Sequence, residues 1–191
     1  MPKSSPITAP LRGALIECFR ATTRLVRPEL RRQLVLVGGA ASIAHSSVLR
    51  TEDVNVAAPS NVLADIWESV TAGALNFSIE PDGKIAFDAS QEFRDIVERI
   101  HATEPFHEGS VASKSDLLRF RAMTVVDRGS DGEAADFRRL LSEVARVGQV
   151  LPGLSCLEME YMREAGRSCL GRFDRLVLFA ILSEGDAGVI C

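Results

Sequence analysis

The chain has 191 residues, 46% of them hydrophobic and 25% charged. That composition suits one compact domain with room for a small helical appendage, and it excludes disorder, collagen-like repeats and coiled-coil fibres. Lys and Arg number 22 against 26 Asp and Glu, a formal charge of −4, so no basic field draws a nucleic-acid backbone and duplex DNA is not an expected partner. The longest apolar run, Leu176 to Leu182, falls far short of the roughly twenty residues that span a bilayer, and the start MPKSSPITAP lacks an apolar signal core. The expectation is a soluble, cytoplasmic protein with no membrane partner. Cys18, Cys156, Cys169 and Cys191 form no CxxC pair, which favours reduced thiols over a disulfide frame or a zinc site.

Residues 1–10 carry three prolines and two serines and read as a flexible tail. The spacing of LRGALIECFRATTRLVR predicts a helix over 11–27, closed by Pro28. Leu34 to Val37 is an all-apolar stretch running into Gly38 and Gly39, the pattern of a buried strand entering a tight turn. The next segment, AASIAHSS, suits a short helix. In Asp53 to Ala58 the side chains alternate, with Val54 and Val56 on one face and Asp53 and Asn55 on the other, as in a half-buried strand ended by Pro59. Ser60 is placed as the N-cap of a helix through Ala72, with Val62, Leu63, Ile66, Trp67 and Val70 as its apolar stripe and Trp67 assigned to core packing. Asn76 to Glu80 and Lys84 to Asp88 are strand candidates around the turn PDG, and FRDIVERI at 93–100 fits either a helix or a strand. His101 and His107 read as loop residues rather than a metal pair. From Ser115 onward four helices are expected: 115–128, 133–148 with Gly148 as C-cap, and two more after Pro152 and Gly171. The fold class is therefore α+β, with a small mixed sheet flanked by helices and a helical C-terminal half. A core over 11–148 and a C-terminal helical extension over 149–191, packed on that core, make up the rest.

One region stands out, LVLVGGAASIAHSSVLRTEDVNVAAP at 34–59. It resembles the signature of the nucleotidyltransferase superfamily: a strand ending in Gly-Gly, a short helix, and a strand carrying Asp-x-Asp. The closest likeness is to the minimal-type branch, which includes toxin-like and uncharacterised bacterial and fungal proteins and has GGxA followed by Arg, Thr and DxD. Gly38, Gly39, Arg50, Thr51 and Asp53 occupy those places, with Asn55 where the family has its second Asp. Farther on, VASKSDLLRFRAMTVVDRGSDGEAADFRRLL is similar to the branch's helix dLLxxKxxAxxxR and the DLxxL that follows, so the likeness extends over 34–141.

The resemblance implies transfer of a nucleoside monophosphate from a nucleoside triphosphate to an acceptor, with Mg²⁺ held by Asp53 and position 55 and a third carboxylate on the next core strand. Glu98 is favoured for that role over Asp95 and Asp88. It implies substrate contacts from Gly38, Gly39, Ser42, Arg50, Thr51, Arg121 and Arg128, and a catalytic place for Asp53, Asn55 and Glu98; His45, on the expected short helix between the glycines and the Asp53 strand, is placed to act as a base or phosphate ligand. Physically, carboxylates must hold the ions that clamp attacking and leaving oxygens. Strand residues two apart point the same way, and bare glycine backbone lets N–H groups approach phosphate. Asn55 offers a neutral carbonyl oxygen in place of a full negative charge, and Arg121 replaces a lysine's compact ammonium with a planar fork.

Blander readings stay open. Gly38 and Gly39 also suit a plain strand-to-helix turn, Asp53 a surface pair with Arg50, and His45 a hydrogen-bonded structural role. Three functions are consistent with the sequence: a diverged nucleotidyltransferase, a non-catalytic module binding a nucleotide or phosphate-bearing small molecule, and a metal-free isomerase, cyclase or hydrolase reusing the site.

Overall fold

The computed structural model describes residues 6–45, 47, 51, 54–74, 77, 103–151 and 153–185. Within these the protein is α+β, a four-stranded mixed sheet with helices followed by a helical C-terminal half. The chain divides into two units: Thr8–Ala44 with Thr51–Ala112, and Met1–Ile7 with His45–Arg50 and Ser113–Cys191. Among the described residues no helix is long and apolar enough to cross a membrane.

The sheet belongs to the unit built on Thr8–Ala44. Helix α1 (Ala9–Leu25) starts two residues earlier than its periodicity predicts, because the Thr8 hydroxyl accepts from the Leu11 N–H at 3.4 Å and Pro10 sits where a missing N–H costs nothing. It stops at Leu25, short of the predicted Arg27. The Pro28 ring disfavours helical backbone at the residue before it, and Pro28–Gln33 is a 3₁₀ segment. Strand β1 (Val35–Val37) is buried along its whole length because it has a neighbour on both sides, in the order β2-β1-β4-β3. Helix α2 (Gly38–Ala44) begins at the glycine pair itself and ends before His45, which lies in the following turn rather than on the helix.

Strand β2 (Asn55–Ala57) is shorter than the predicted 53–58 and runs antiparallel to β1, with Val37 opposite Asn55. In helix α3 (Ser60–Thr71) the cap position belongs to Pro59, and Ser60 is the first helical residue, so Ser60 is not the predicted cap. Val62, Ile66 and Val70 are buried, whereas Trp67 is about half exposed at 47%. A period of 3.6 aligns the first three on one line and turns Trp67 to the edge of that stripe, which overturns its assignment to the core.

Strands β3 (Thr103–Phe106) and β4 (Gly109–Ala112) form a hairpin around His107 and Glu108, and β4 lies parallel to β1. No alternating pattern in the sequence marks this hairpin. Pro105 argues against a central strand, but among the described residues β3 is an exposed edge strand, where a missing N–H is tolerated. His107 sits in the turn with φ +53°. Gly109 is needed for packing, since a Cβ there would come within 2.8 Å of the Phe19 ring and 3.1 Å of the Leu34 carbonyl. The strand candidates at 76–80 and 84–88 and the ambiguous segment at 93–100 lie outside the described residues, apart from Phe77, which is in no regular element.

The other unit contains α4 (Lys114–Arg128), α5 (Asp131–Val147), α6 (Cys156–Cys169) and α7 (Arg172–Gly185). Helix α4 is central and packs on both α5 and α6. The predicted Gly148 C-cap is present in left-handed conformation at φ +63°, and Gly129 closes α4 the same way at φ +60°. Helix α6 opens with a capping box, Ser155 and Glu158 each bonding the other's backbone N–H. The core is formed by Leu118, Phe137, Leu140, Val144, Met162 and Ala165, all buried. Cys18 and Cys169 carry free thiols, but Cys156 is disulfide-bonded, so the expectation of reduced cysteines fails there.

Candidate functional site

The glycine bend follows from where β1 ends. Once Val37 has paired with Asn55, the chain must leave the sheet and enter α2 at once, and Gly38 does so at φ +67°, a conformation that disfavours any residue with a Cβ. A Cβ at Gly38 would lie 3.2 Å from Nδ2 of Asn55, and one at Gly39 would lie 2.7 Å from Oγ1 and 2.9 Å from Cβ of Thr51. The side chains of Asn55 and Thr51 therefore both rest against the glycine backbone. Each glycine serves its own purpose here, Gly38 supplying the left-handed turn and Gly39 the close approach.

Of the residues singled out in the sequence, Gly38, Gly39, Thr51 and Asn55 come together at this bend. Ser42 lies in α2 and is buried. Arg12 of α1 donates from Nη2 to the Ile43 carbonyl at 3.1 Å, holding the short helix against α1. Asp53, Arg50 and Glu98, with the alternatives Asp95 and Asp88, lie outside the described residues.

The remaining predicted residues, His45, Arg121 and Arg128, fall in the other unit, where Arg121 meets the carboxylate of Asp136. Asp136 of α5 is buried and forms an ion pair with Arg121, whose Nη2 stands 3.0 Å from one carboxylate oxygen. Its other oxygen accepts Nε of Arg139 at 3.1 Å and Oγ of Ser47 at 3.4 Å. Arg139 also donates from Nη1 to the His45 carbonyl at 3.4 Å, so one acidic residue on α5 holds the α4 arginine and Ser47 directly and the His45 carbonyl through Arg139. Asp136 was legible as the acidic residue of the DFRRLL segment likened to DLxxL, but its partners are brought to it only by folding. Arg128 is largely exposed and stands 3.7 Å from Glu133.

Chemically, the described residues at the bend supply neutral donors and acceptors: the Asn55 amide, the Thr51 hydroxyl and backbone N–H groups. Among the described residues there is no group of three or more His, Cys, Asp or Glu side chains placed to hold a metal ion. Neither free thiol is activated, since desolvation raises the pKa of Cys18 and of Cys169 and so disfavours the thiolate. Compared with protein-family models, curated proteins and solved structures, the chain has no significant match.

Proposed function

We propose that this is a diverged nucleotidyltransferase-like protein that binds a nucleotide or another phosphate-bearing small molecule beside Gly38 and Gly39. The observation that carries the reading is the seating of Asn55 and Thr51 on the glycine backbone at the end of β1. This seating sets two polar side chains, an amide and a hydroxyl, against the glycine backbone at the first turn of α2, groups that can hydrogen-bond phosphate oxygens. The order of strand, double glycine, short helix and a strand opening at Asn55 supports the same reading, as does the antiparallel pairing of β1 with β2.

Asn55 also favours binding over transfer. A neutral amide at this position does not suit a pair of magnesium ions, which need carboxylates to balance their charge. Mg²⁺ therefore enters the reading as a weakly held companion of the phosphate through Asp53 and Asn55, and no catalytic step is assigned to it.

A thermal-shift panel tests the reading, using each common nucleoside triphosphate and pyrophosphate, with Mg²⁺ and with EDTA. At about a hundred times Kd a ligand adds about 2.7 kcal/mol, equivalent to roughly 5–10 °C in Tm for a chain of this size. The expected result is a shift of that order with at least one phosphate compound, retained in EDTA and reduced in Thr51→Ala. No shift with any of these compounds overturns the reading. Loss of the shift in EDTA, together with label transfer from the α-phosphate to an acceptor, replaces binding with active nucleotidyl transfer.

A further inference from the structure

Helix α7 is apolar on two opposite sides. Leu178, Ile181 and Leu182 are buried. On the other side Phe173 is 82% exposed, Leu176 60% and Val177 37%, and the exposed Ala180 continues the line. These four residues have the i, i+3, i+4, i+7 spacing of a single helical stripe. This second apolar side of α7 meets water.

The amount of exposed surface indicates the kind of contact. With the half-exposed Phe179, the stripe leaves on the order of 400 Å² of apolar side chain in solvent, a size at which a surface patch usually marks an interaction site. Two such patches with their margins would bury about 1,000 Å² in total, the low end of specific interfaces.

We propose that the occupant is a second copy of the chain, its α7 lying antiparallel to this one about a two-fold axis between Leu176 and Val177. Reversing the helix about that point maps the stripe onto itself. Phe173 falls opposite Ala180 and Leu176 opposite Val177, so the largest side chain meets the smallest and no charge enters the centre. A two-fold contact needs this self-complementarity, and the antiparallel arrangement also sets opposite ends of the two helix dipoles together. An anionic lipid surface is a poorer fit. Arg172 and Arg175 of α7 are balanced by Asp174 and Glu184, and the Arg175 guanidinium is already committed to the Leu170 and Arg167 carbonyls, each at 3.0 Å, leaving no cationic excess for lipid headgroups.

Sedimentation equilibrium of the full chain over a range of concentrations reads this directly. The expected result is a monomer–dimer equilibrium with a micromolar midpoint, as suits so small an interface, weakened at least about tenfold in Phe173→Glu. Because Phe173 is exposed in the monomer, that variant keeps its helical circular dichroism and its Tm at low concentration. In Leu176→Cys, mild oxidation should yield a covalent dimer that the unmodified chain, with its own cysteines, does not form. A monomer at every concentration, a dimer indifferent to Phe173→Glu, or a dimer in which Cys at 176 never cross-links overturns the proposal. If Phe173→Glu loses helix, the cross-link alone decides.

Discussion

The side chain of Asn55 lies over the α-carbon of Gly38, so close that a methyl group at Gly38 would stand 3.2 Å from the amide nitrogen. Register explains the contact. Asn55 is paired with Val37, the last residue of β1, so its side chain reaches the first residue beyond the strand, where the chain turns through positive φ.

Gly38→Ala is therefore expected to destabilise the protein by about 1–2 kcal/mol from the left-handed backbone alone, lowering Tm by roughly 2–8 °C. Adding Asn55→Ala should recover part of any further loss, because it removes the amide nitrogen that the new methyl meets. Thermal denaturation of both single variants and the double variant measures that coupling. Additive losses would mean that the Asn55 amide moves aside at no cost.

Asn55→Asp should raise Mg²⁺ affinity by at least about tenfold if Asp53 faces the same point, since a second carboxylate restores a full charge to the site. Titration calorimetry with MgCl₂ measures this. Unchanged affinity would remove magnesium from the proposed function and leave phosphate binding to stand on the backbone and Thr51.

In the helical unit, Arg119 is 1% exposed and bridges two buried carboxylates, Asp116 at 2.8 Å and Glu158 at 3.1 Å. Replacing it with Met removes the guanidinium from both buried acids, and breaking such a pair costs about 3–5 kcal/mol. Arg119→Lys should restore only part, because a point ammonium cannot reproduce a fork that spans two acceptors. Urea unfolding monitored by circular dichroism ranks the three proteins. A Met variant as stable as the parent would mean the cluster contributes nothing net.

Glu143 predicts a pH dependence. Hydrogen bonds from Arg146 and Lys114, at 2.8 and 3.2 Å, hold its carboxyl at a pKa of about 2, below the ordinary 4.5, Arg146 having the larger effect. A carboxylate depressed in the folded state stabilises above its unfolded pKa and loses that contribution as pH falls through the folded one. The Tm advantage of the parent over Glu143→Gln should therefore be constant above about pH 5.5 and shrink as pH falls from 4.5 toward 2. An advantage that stayed level across that range would separate Glu143 from the acid sensitivity of the fold.

Much of the helical half was legible because its signals are local. Ser113, Ser130 and Ser155 cap the helices that follow them, Gly129 and Gly148 end α4 and α5, and the apolar spacing between these residues requires no knowledge of the rest of the chain. The β3–β4 hairpin was not legible, since whether Pro105 is tolerated depends on its strand being at an edge. Trp67 was misplaced for a related reason: helical spacing identifies a stripe but not how wide the facing core is.

At the candidate site, Gly38, Gly39 and Asn55 announce a turn between two strands, and their order along the chain is a property of the sequence alone. Local chemistry of this kind, with capping, glycine freedom and apolar period, acts over a few residues and survives without tertiary contacts. Folding decided the rest, because those contacts join residues far apart in the chain: Asn55 seated on Gly38 rather than turned from it, Asp136 gathering Arg121, Arg139 and Ser47, and one flank of α7 buried while the other faces water.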